Sequence, residues 1–226
     1  MDLEVIFEDK ALIGINKPSG LACEPGRAGE EDCVQSRVLT HYRESGQKAK
    51  NLIAGLCHRL DKPASGILIL SKKPSVLKVM NEYFEKGQVK KEYLALVEGA
   101  AQHIPSSPRL WHKKIDKHFR AEIRNEPGSG FKEIRAGLEC LQASPEYSLV
   151  KVKLYTGRYH QIRATLAFLG HPVWNDEHYG ASKRVEEMRI GLHSSRLEFK
   201  HPISSEPVIL ESPWAGFEFW GLKPLV

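Results

Sequence analysis

The residues best suited to chemistry lie around one aspartate, Asp61, in the stretch 57–71. Three basic side chains, His58, Arg59 and Lys62, are within three positions of it. Positive neighbours favour the ionised form of a carboxylate, which can then act as a base or as a nucleophile. An aspartate close before a proline also commonly caps backbone amides in a turn, and for Asp61 taken alone that interpretation is the stronger one.

A second polar group lies at the predicted start of a helix near Tyr159. Cations at a helix N-terminus oppose the helix dipole, and this cost is offset when a carboxylate or phosphate binds there. The alternative is a solvated basic face, but planar polar side chains followed by a clean apolar stripe favour an anion site. The group consists of Arg158, His160, Gln161 and Arg163.

Tyr93 is the third candidate, on a strand predicted over residues 90–99. On an alternating strand a tyrosine is commonly a core residue. Its ring could instead offer a face on which a nucleobase stacks. The residues leave both interpretations open.

Composition narrows the class of protein. The chain has 226 residues, 41% hydrophobic, with a net charge of +5 and a pI near 8.9. That charge mildly favours a polyanionic partner. No apolar run reaches membrane-spanning length, and the acidic start lacks signal-peptide features, so we expect a cytoplasmic protein with no membrane partner. Neither the four cysteines nor the ten histidines form a metal-binding pattern, so no metal is expected.

The elements that must position these residues indicate an α+β fold. We expect a mixed, largely antiparallel central sheet flanked by helices, in a single domain over residues 1–226. The run at 67–70 predicts a buried strand directly after Asp61. Predicted strands cover 5–7, 12–16, 67–70, 90–99, 132–142, 147–155 and 191–199, and predicted helices cover 30–44, 72–86 and about 159–169.

Five stretches in order resemble the RluA family of RNA pseudouridine synthases over about residues 5–220. The sequence His-Arg-Leu-Asp at 58–61, followed by Ala-Ser-Gly at 64–66, resembles that family's catalytic motif. The other four are Asn-Lys-Pro-Ser-Gly at 16–20, Lys-Glu-Tyr-Leu-Ala at 91–95, Gly-Arg-Tyr-His-Gln-Ile-Arg at 157–163 with Gly-His-Pro at 170–172, and the strand 192–199 with His-Pro at 201–202.

The resemblance implies a pseudouridine synthase catalytic fold and a reaction. Uridine in RNA is isomerised to pseudouridine without metal or cofactor. Asp61 would be the essential carboxylate, by covalent addition or by proton abstraction, and Arg163 would pair with it. Tyr93 would stack on the target uracil, and Arg59 would help to extrude the base. Contacts with RNA would come from Lys17, Arg158, His160 and Gln161.

The chain departs from the family pattern without touching those core groups. Tyr159 stands where Thr or Ser is usual, Asn175-Asp176 replaces Gly-Asp, Ala164-Thr165 replaces Val-His, and Cys23 begins a stretch that often carries His-Pro-Gly. Many relatives carry an S4-like RNA-binding domain before the Lys-Pro motif, and we expect none here. Recognition would then fall to the catalytic domain, including the loops 46–51 and 110–124.

The leading hypothesis is therefore a monomeric enzyme that modifies a uridine in a stem-loop of rRNA or tRNA. The alternative is a non-catalytic RNA-binding or ribosome-assembly protein on the same scaffold. A third hypothesis, a metal-free hydrolase of nucleosides or glycans, would need a second acid near Asp61, and no carboxylate has a clear claim to that place.

Overall fold

The apolar run at 67–70 forms the middle of strand β4 (Ser65–Ser71), and its four side chains are completely buried. This strand pairs antiparallel with β2 (Leu12–Lys17), from Leu12 opposite Ser71 to Lys17 opposite Gly66. The buried strand predicted after Asp61 is confirmed.

The computed structural model describes residues 3–26, 32–46, 52–182, 185 and 187–214. The chain divides into two units, Met1–Lys90 with Ser194–Ser212, and Lys91–His193 with Pro213–Val226. The expectation of a single catalytic domain stays a prediction. Among the described residues, no helix is long and apolar enough to cross a membrane.

Besides β2 and β4, the elements of the first unit are β1 (Glu4–Glu8), α1 (Val34–Glu44), β3 (Gly55–Leu56), α2 (Pro74–Glu85), β11 (Leu192–Lys200) and β12 (Pro207–Glu211). The strands follow the order β1-β2-β4-β11, with β3 paired to β4 and β12 paired to β11. Helix α2 lies against this sheet, where Val76 and Met80 share a core with Ile67 and Ile69. It begins at Pro74, and proline is well tolerated at the first helical position.

Helix α1 begins later than predicted. Cys33 is its N-cap: the Sγ accepts from the Ser36 N–H at 3.5 Å, and the Ser36 hydroxyl accepts from the Cys33 N–H at 3.0 Å. A capping pair of this kind ends the extended chain at Cys33. Residues 30 and 31 of the predicted helix lie outside the described residues, as do 47–51 of the predicted polar loop and 215–226 of the predicted tail.

The elements of the second unit are β5 (Lys90–Glu98), β6 (Leu110–Ile115), β7 (Arg120–Arg124), β8 (Lys132–Ile134), β9 (Ala136–Ala143), β10 (Tyr147–Leu154) and α3 (Gln161–Phe168). Strands follow the order β5-β10-β9, and a separate three-stranded sheet has the order β7-β6-β8. The stretch 110–124, expected as a loop, is instead a hairpin of β6 and β7. Among the described residues, the α+β class with a mostly antiparallel sheet and three helices is confirmed.

The single strand predicted over 132–142 is wrong, because the chain changes partners at Arg135. β8 pairs with β6, whereas β9 pairs with β10. Between them, the Arg135 N–H donates to Thr156 Oγ1 at 2.9 Å and its carbonyl accepts from the Thr156 N–H at 3.3 Å. Alternation alone cannot show such a change of partner.

We predict that Gly66→Ala destabilises the first unit severely. Gly66 has φ +106°, and an added Cβ would lie 2.3 Å from the Ser194 carbonyl oxygen. Strain and overlap together should cost about 3 kcal/mol or more of unfolding free energy. Gly46→Ala is the matched control, since Gly46 has φ +69° with nothing within 4 Å of an added Cβ. Strain alone there should cost about 1–2 kcal/mol. Urea unfolding of both variants measures the difference, and equal losses would contradict the proposed overlap.

Candidate active site

Asp61 is half-buried and opens a turn in which its carbonyl accepts from the Ala64 N–H at 3.0 Å. The residue before it is held from both sides by one thiol. Cys23 Sγ donates to the Leu60 carbonyl at 3.2 Å and accepts from the Leu60 N–H at 3.4 Å. Burial raises the pKa of the Cys23 thiol, which therefore keeps the proton that it donates. The turn-capping and catalytic interpretations of Asp61 are both compatible with this position.

The residue after Asp61 is held by Lys17. Its side chain has no exposed surface, and the ammonium donates to the carbonyls of Pro18 at 2.8 Å, Leu21 at 2.9 Å and Lys62 at 3.2 Å. Burial lowers the pKa of Lys17 to about 8, although nearby Asp61 acts to raise it. These three carbonyls match the three ammonium protons. The expected contact of Lys17 with RNA phosphate therefore does not fit its surroundings, and its position suits a support for the Asp61 turn.

The two basic residues shortly before Asp61, His58 and Arg59, differ in their exposure to solvent. His58 Nε2 accepts from the Ile69 N–H at 3.2 Å, and the ring stacks on Phe84 with centroids 4.7 Å apart. Arg59 instead has 66% of its side chain exposed and donates to Glu24 Oε1 at 2.5 Å. Arg59 is therefore accessible to a binding partner, whereas His58 stabilises the fold.

Arg163 is buried on helix α3 and forms a two-point ion pair with Asp176. Its Nε donates to Asp176 Oδ2 at 2.6 Å and its Nη2 to Oδ1 at 2.8 Å, and both side chains are at most 6% exposed. The guanidinium also lies 5.1 Å from the centre of the Tyr179 ring. A fork of two parallel hydrogen bonds fixes the plane of the guanidinium as well as its position.

Asp176 is a site residue that sequence reasoning missed. The signal available was Arg163 itself, because an arginine on a buried helix face requires a counter-charge. The preceding residue, Asn175, has φ 63°, and asparagine tolerates this left-handed conformation, which explains why it can replace the usual glycine. Its amide also donates to the Arg189 carbonyl at 2.6 Å and accepts from the Val185 N–H at 2.7 Å.

Helix α3 begins at Gln161 rather than near Tyr159, because His160 has φ 50° and interrupts the helical backbone. Gln161 is 2% exposed, and its Oε1 accepts from the Arg158 N–H and the Thr156 hydroxyl, both at 3.0 Å. Gln161 therefore supports the loop before the helix, which does not fit the expected contact with RNA. Arg158 is exposed, and His160 is half-buried with Nδ1 3.1 Å from the Tyr179 hydroxyl.

Tyr93 lies on β5 opposite Val152 of β10 and is 6% exposed. Such burial is typical of a core residue, and it is equally compatible with a ring at the base of a nucleotide-binding site. Its predicted stacking on a base stays a prediction. The same holds for the predicted pairing of Arg163 with Asp61, since these residues belong to different units. Within the described ranges, no cluster of three or more His, Cys, Asp or Glu is arranged to hold a metal ion.

Comparison with known proteins connects this geometry to a family. A family model described as RNA pseudouridylate synthase matches residues 11–168, which include Asp61, Tyr93 and Arg163. The chain is 30% identical to an uncharacterized RNA pseudouridine synthase, YhcT, of Bacillus subtilis, over 94% of this chain and 69% of that protein. It is 32% identical to ribosomal large subunit pseudouridine synthase C of Pasteurella multocida, over 94% of this chain and 65% of that protein.

Solved structures give the same result for the fold. Human RNA Pseudouridylate Synthase Domain Containing 1 superposes with a TM-score of 0.74 at 25% identity, covering 94% of this chain and 84% of the other. Human RNA Pseudouridylate Synthase Domain Containing 4 has a TM-score of 0.75 at 22% identity, covering 95% and 89%. The chain spans about two thirds of the length of the two bacterial relatives.

We predict that Asp176→Ala destabilises the protein by about 3–5 kcal/mol, because it leaves the buried Arg163 charge without this partner. The control is Glu122→Ala, which removes a carboxylate 2.8 Å from Arg124 on the surface of the same unit. That loss should be within about 1 kcal/mol. Denaturant unfolding measures both, and a small loss for Asp176→Ala would show that Arg163 does not depend on it.

We also predict a pH dependence from Lys17. Its pKa falls from 10.5 to about 8 on folding, so between these values the unfolded chain binds more protons and the Lys17 contribution to stability rises with pH. The unfolding free energy of the wild type minus that of Lys17→Met should therefore rise by about 3 kcal/mol from about pH 7 to about pH 11. Other groups titrate in both proteins and cancel. A difference that does not change with pH would contradict the lowered pKa.

Proposed function

Since the chain belongs to the RNA pseudouridylate synthase family, we propose that Asp61 is its catalytic carboxylate, acting on a uridine in ribosomal RNA. Membership confirms the family that the sequence motifs indicate, and with it the enzyme class, an isomerase that converts uridine to pseudouridine. The single observation that carries the role of Asp61 is its placement. A half-buried carboxylate lies on a turn that buried groups hold on both sides, at Leu60 and at Lys62.

The proposed chemistry needs one carboxylate and no net addition of atoms. The bond from ribose carbon 1′ to uracil nitrogen 1 breaks, and a bond from the same carbon to uracil carbon 5 forms. The proton on carbon 5 leaves to solvent, and nitrogen 1 gains a proton. Asp61 either adds to the nucleotide as a nucleophile or removes a proton from the sugar. Both routes require an ionised carboxylate that is aimed rigidly, which the anchored turn supports.

Arg163 is the proposed partner that orients Asp61. We propose that Asp61 receives a hydrogen bond from Arg163. Asp176 then acts as a positioning residue, because the plane of the guanidinium is set by the fork. Tyr93 is proposed to stack on the uracil once the base has left its helix.

The RNA contacts are proposed for the exposed basic residues of the predicted set. Arg59 is proposed to fill the space of the extruded base, and the exposed Arg158 and half-buried His160 to contact phosphate or the flipped nucleotide. Ribosomal RNA of the large subunit is the favoured target because curated relatives are named as large-subunit pseudouridine synthases. A cytoplasmic location is the corresponding proposal.

We predict that Asp61→Asn lowers the release of tritium from carbon 5 of labelled uridine in ribosomal RNA by at least about 100-fold, because the amide can act neither as base nor as nucleophile. Asp32→Asn is the control, since Asp32 is an exposed aspartate of the same unit that forms an ion pair with Arg37. It should release tritium at the wild-type rate.

Equal release by wild type and Asp61→Asn would end the assignment of Asp61. Binding of RNA by the wild type, with no carbodiimide-detectable pseudouridine in any cellular RNA, would instead favour the non-catalytic RNA-binding protein. Free uracil among the products would favour a hydrolase.

A further inference from the structure

The hairpin between β6 and β7 carries an exposed aromatic ring on a strained residue. Phe119 has φ 50° and is 68% exposed. The left-handed conformation is costly for a bulky side chain, and an exposed phenyl ring gains nothing from the hydrophobic effect. Two features that each cost stability at one residue indicate that Phe119 has a role other than stabilising the fold.

The strained backbone is held in place by side chains of the same unit. The Phe119 carbonyl accepts from the Tyr159 hydroxyl at 3.1 Å and from His178 Nε2 at 2.9 Å. Tyr159 itself stacks on His160, with ring centroids 3.8 Å apart. Its phenol and the His178 imidazole thus tie the tip of the hairpin to the segments around α3. The ring of Phe119 is therefore presented outward on a supported tip.

The stretch of sequence that carries this ring has an excess of basic residues. Residues 109–135 contain eight Lys and Arg against four Asp and Glu, a net charge of +4, whereas the whole chain has +5. Lys117 and Arg120 flank the ring in sequence and are exposed. The acid closest in sequence, Asp116, forms an ion pair with Lys114 at 2.6 Å. A phenyl ring between exposed cations suits a ligand with both flat bases and negative charge.

We propose that the tip of this hairpin is a binding site for single-stranded RNA, in which Phe119 stacks on an unpaired base and Lys117 and Arg120 contact the neighbouring phosphates. The proposal deepens the proposed function and rests on it for the choice of RNA as the partner. A protein partner is disfavoured because the exposed residues next to the ring, Lys117, His118 and Arg120, are polar or charged rather than apolar. The site would hold an unpaired segment of the substrate, which would help to select stem-loops over uniform duplex.

The test compares the binding of fluorescein-labelled oligouridine and of a labelled RNA duplex of equal length, by fluorescence anisotropy, to variants of the full chain. Stacking on one base should make Phe119→Ala bind oligouridine about 5- to 150-fold more weakly, with duplex binding unchanged. Phe119→Trp should restore binding, since it keeps an aromatic face. Ile203→Ala, which truncates an exposed apolar side chain in the first unit, is the control and should bind as the wild type does.

A second variant separates binding from folding. Glycine adopts φ 50° without strain, so Phe119→Gly should unfold at the same or a higher temperature than the wild type while it binds oligouridine as weakly as Phe119→Ala. Arg120→Ala should lower the salt dependence of oligouridine binding by about 0.7 in the slope of log K against log salt, whereas Phe119→Ala should leave that slope unchanged.

Equal affinity of wild type and Phe119→Ala for oligouridine would overturn the proposal, as would an equal loss for single strand and duplex. Neither readout requires catalysis. If the wild type releases no tritium from any RNA but Phe119→Ala still weakens oligouridine binding selectively, the hairpin site stands and the proposed enzymatic function fails. If tritium is released and Phe119→Ala binds oligouridine as the wild type does, the proposed enzymatic function stands and the hairpin site fails.

Discussion

One buried ammonium group holds together the segments that carry Asp61. Lys17 ends strand β2, and its side chain joins the carbonyls of the turn after that strand to the carbonyl of Lys62. The pairing of β2 with β4 places Lys17 opposite Gly66. The ammonium therefore holds the Asp61 turn at Lys62, and the strand pairing holds the end of the same loop at Gly66. Burying a lysine is costly, and the lowered pKa of Lys17 records that cost. Three carbonyl acceptors, one for each ammonium proton, make this burial tolerable.

The second unit stabilises a buried cation in a different way. Arg163 is also a buried cation, but a guanidinium stays charged at any pH that the fold survives, so it cannot relieve its burial by losing a proton. It therefore receives a carboxylate, Asp176, in a two-point pair. The loop that supplies this carboxylate turns at Asn175, whose left-handed conformation and side-chain hydrogen bonds hold it. Orientation of the candidate catalytic arginine thus depends on a loop rather than on its own helix.

The sequence predicts the parts of this structure that depend on local patterns. The buried strand at 67–70 follows from an uninterrupted apolar run, and the start of α2 follows from Pro74. The motifs also identify the family. The predictions that fail concern residues whose partners are distant in sequence. One is the change of strand partners at Arg135. The other is the burial of Lys17 and Gln161, which the motifs indicate as groups that contact RNA at the surface. A polar residue type reveals that a group must be satisfied, but not whether protein or RNA satisfies it.

The departures from the family pattern acquire a physical meaning once the contacts are known. Tyr159 occupies a position where Thr or Ser is usual, and its phenol reaches the carbonyl of Phe119. The hydroxyl of Thr or Ser lies several bonds closer to its own backbone, so the same hydrogen bond would require the hairpin to move. The substitution is therefore coupled to how the hairpin tip is held. Tyr159 therefore supports the hairpin tip that carries the proposed RNA site.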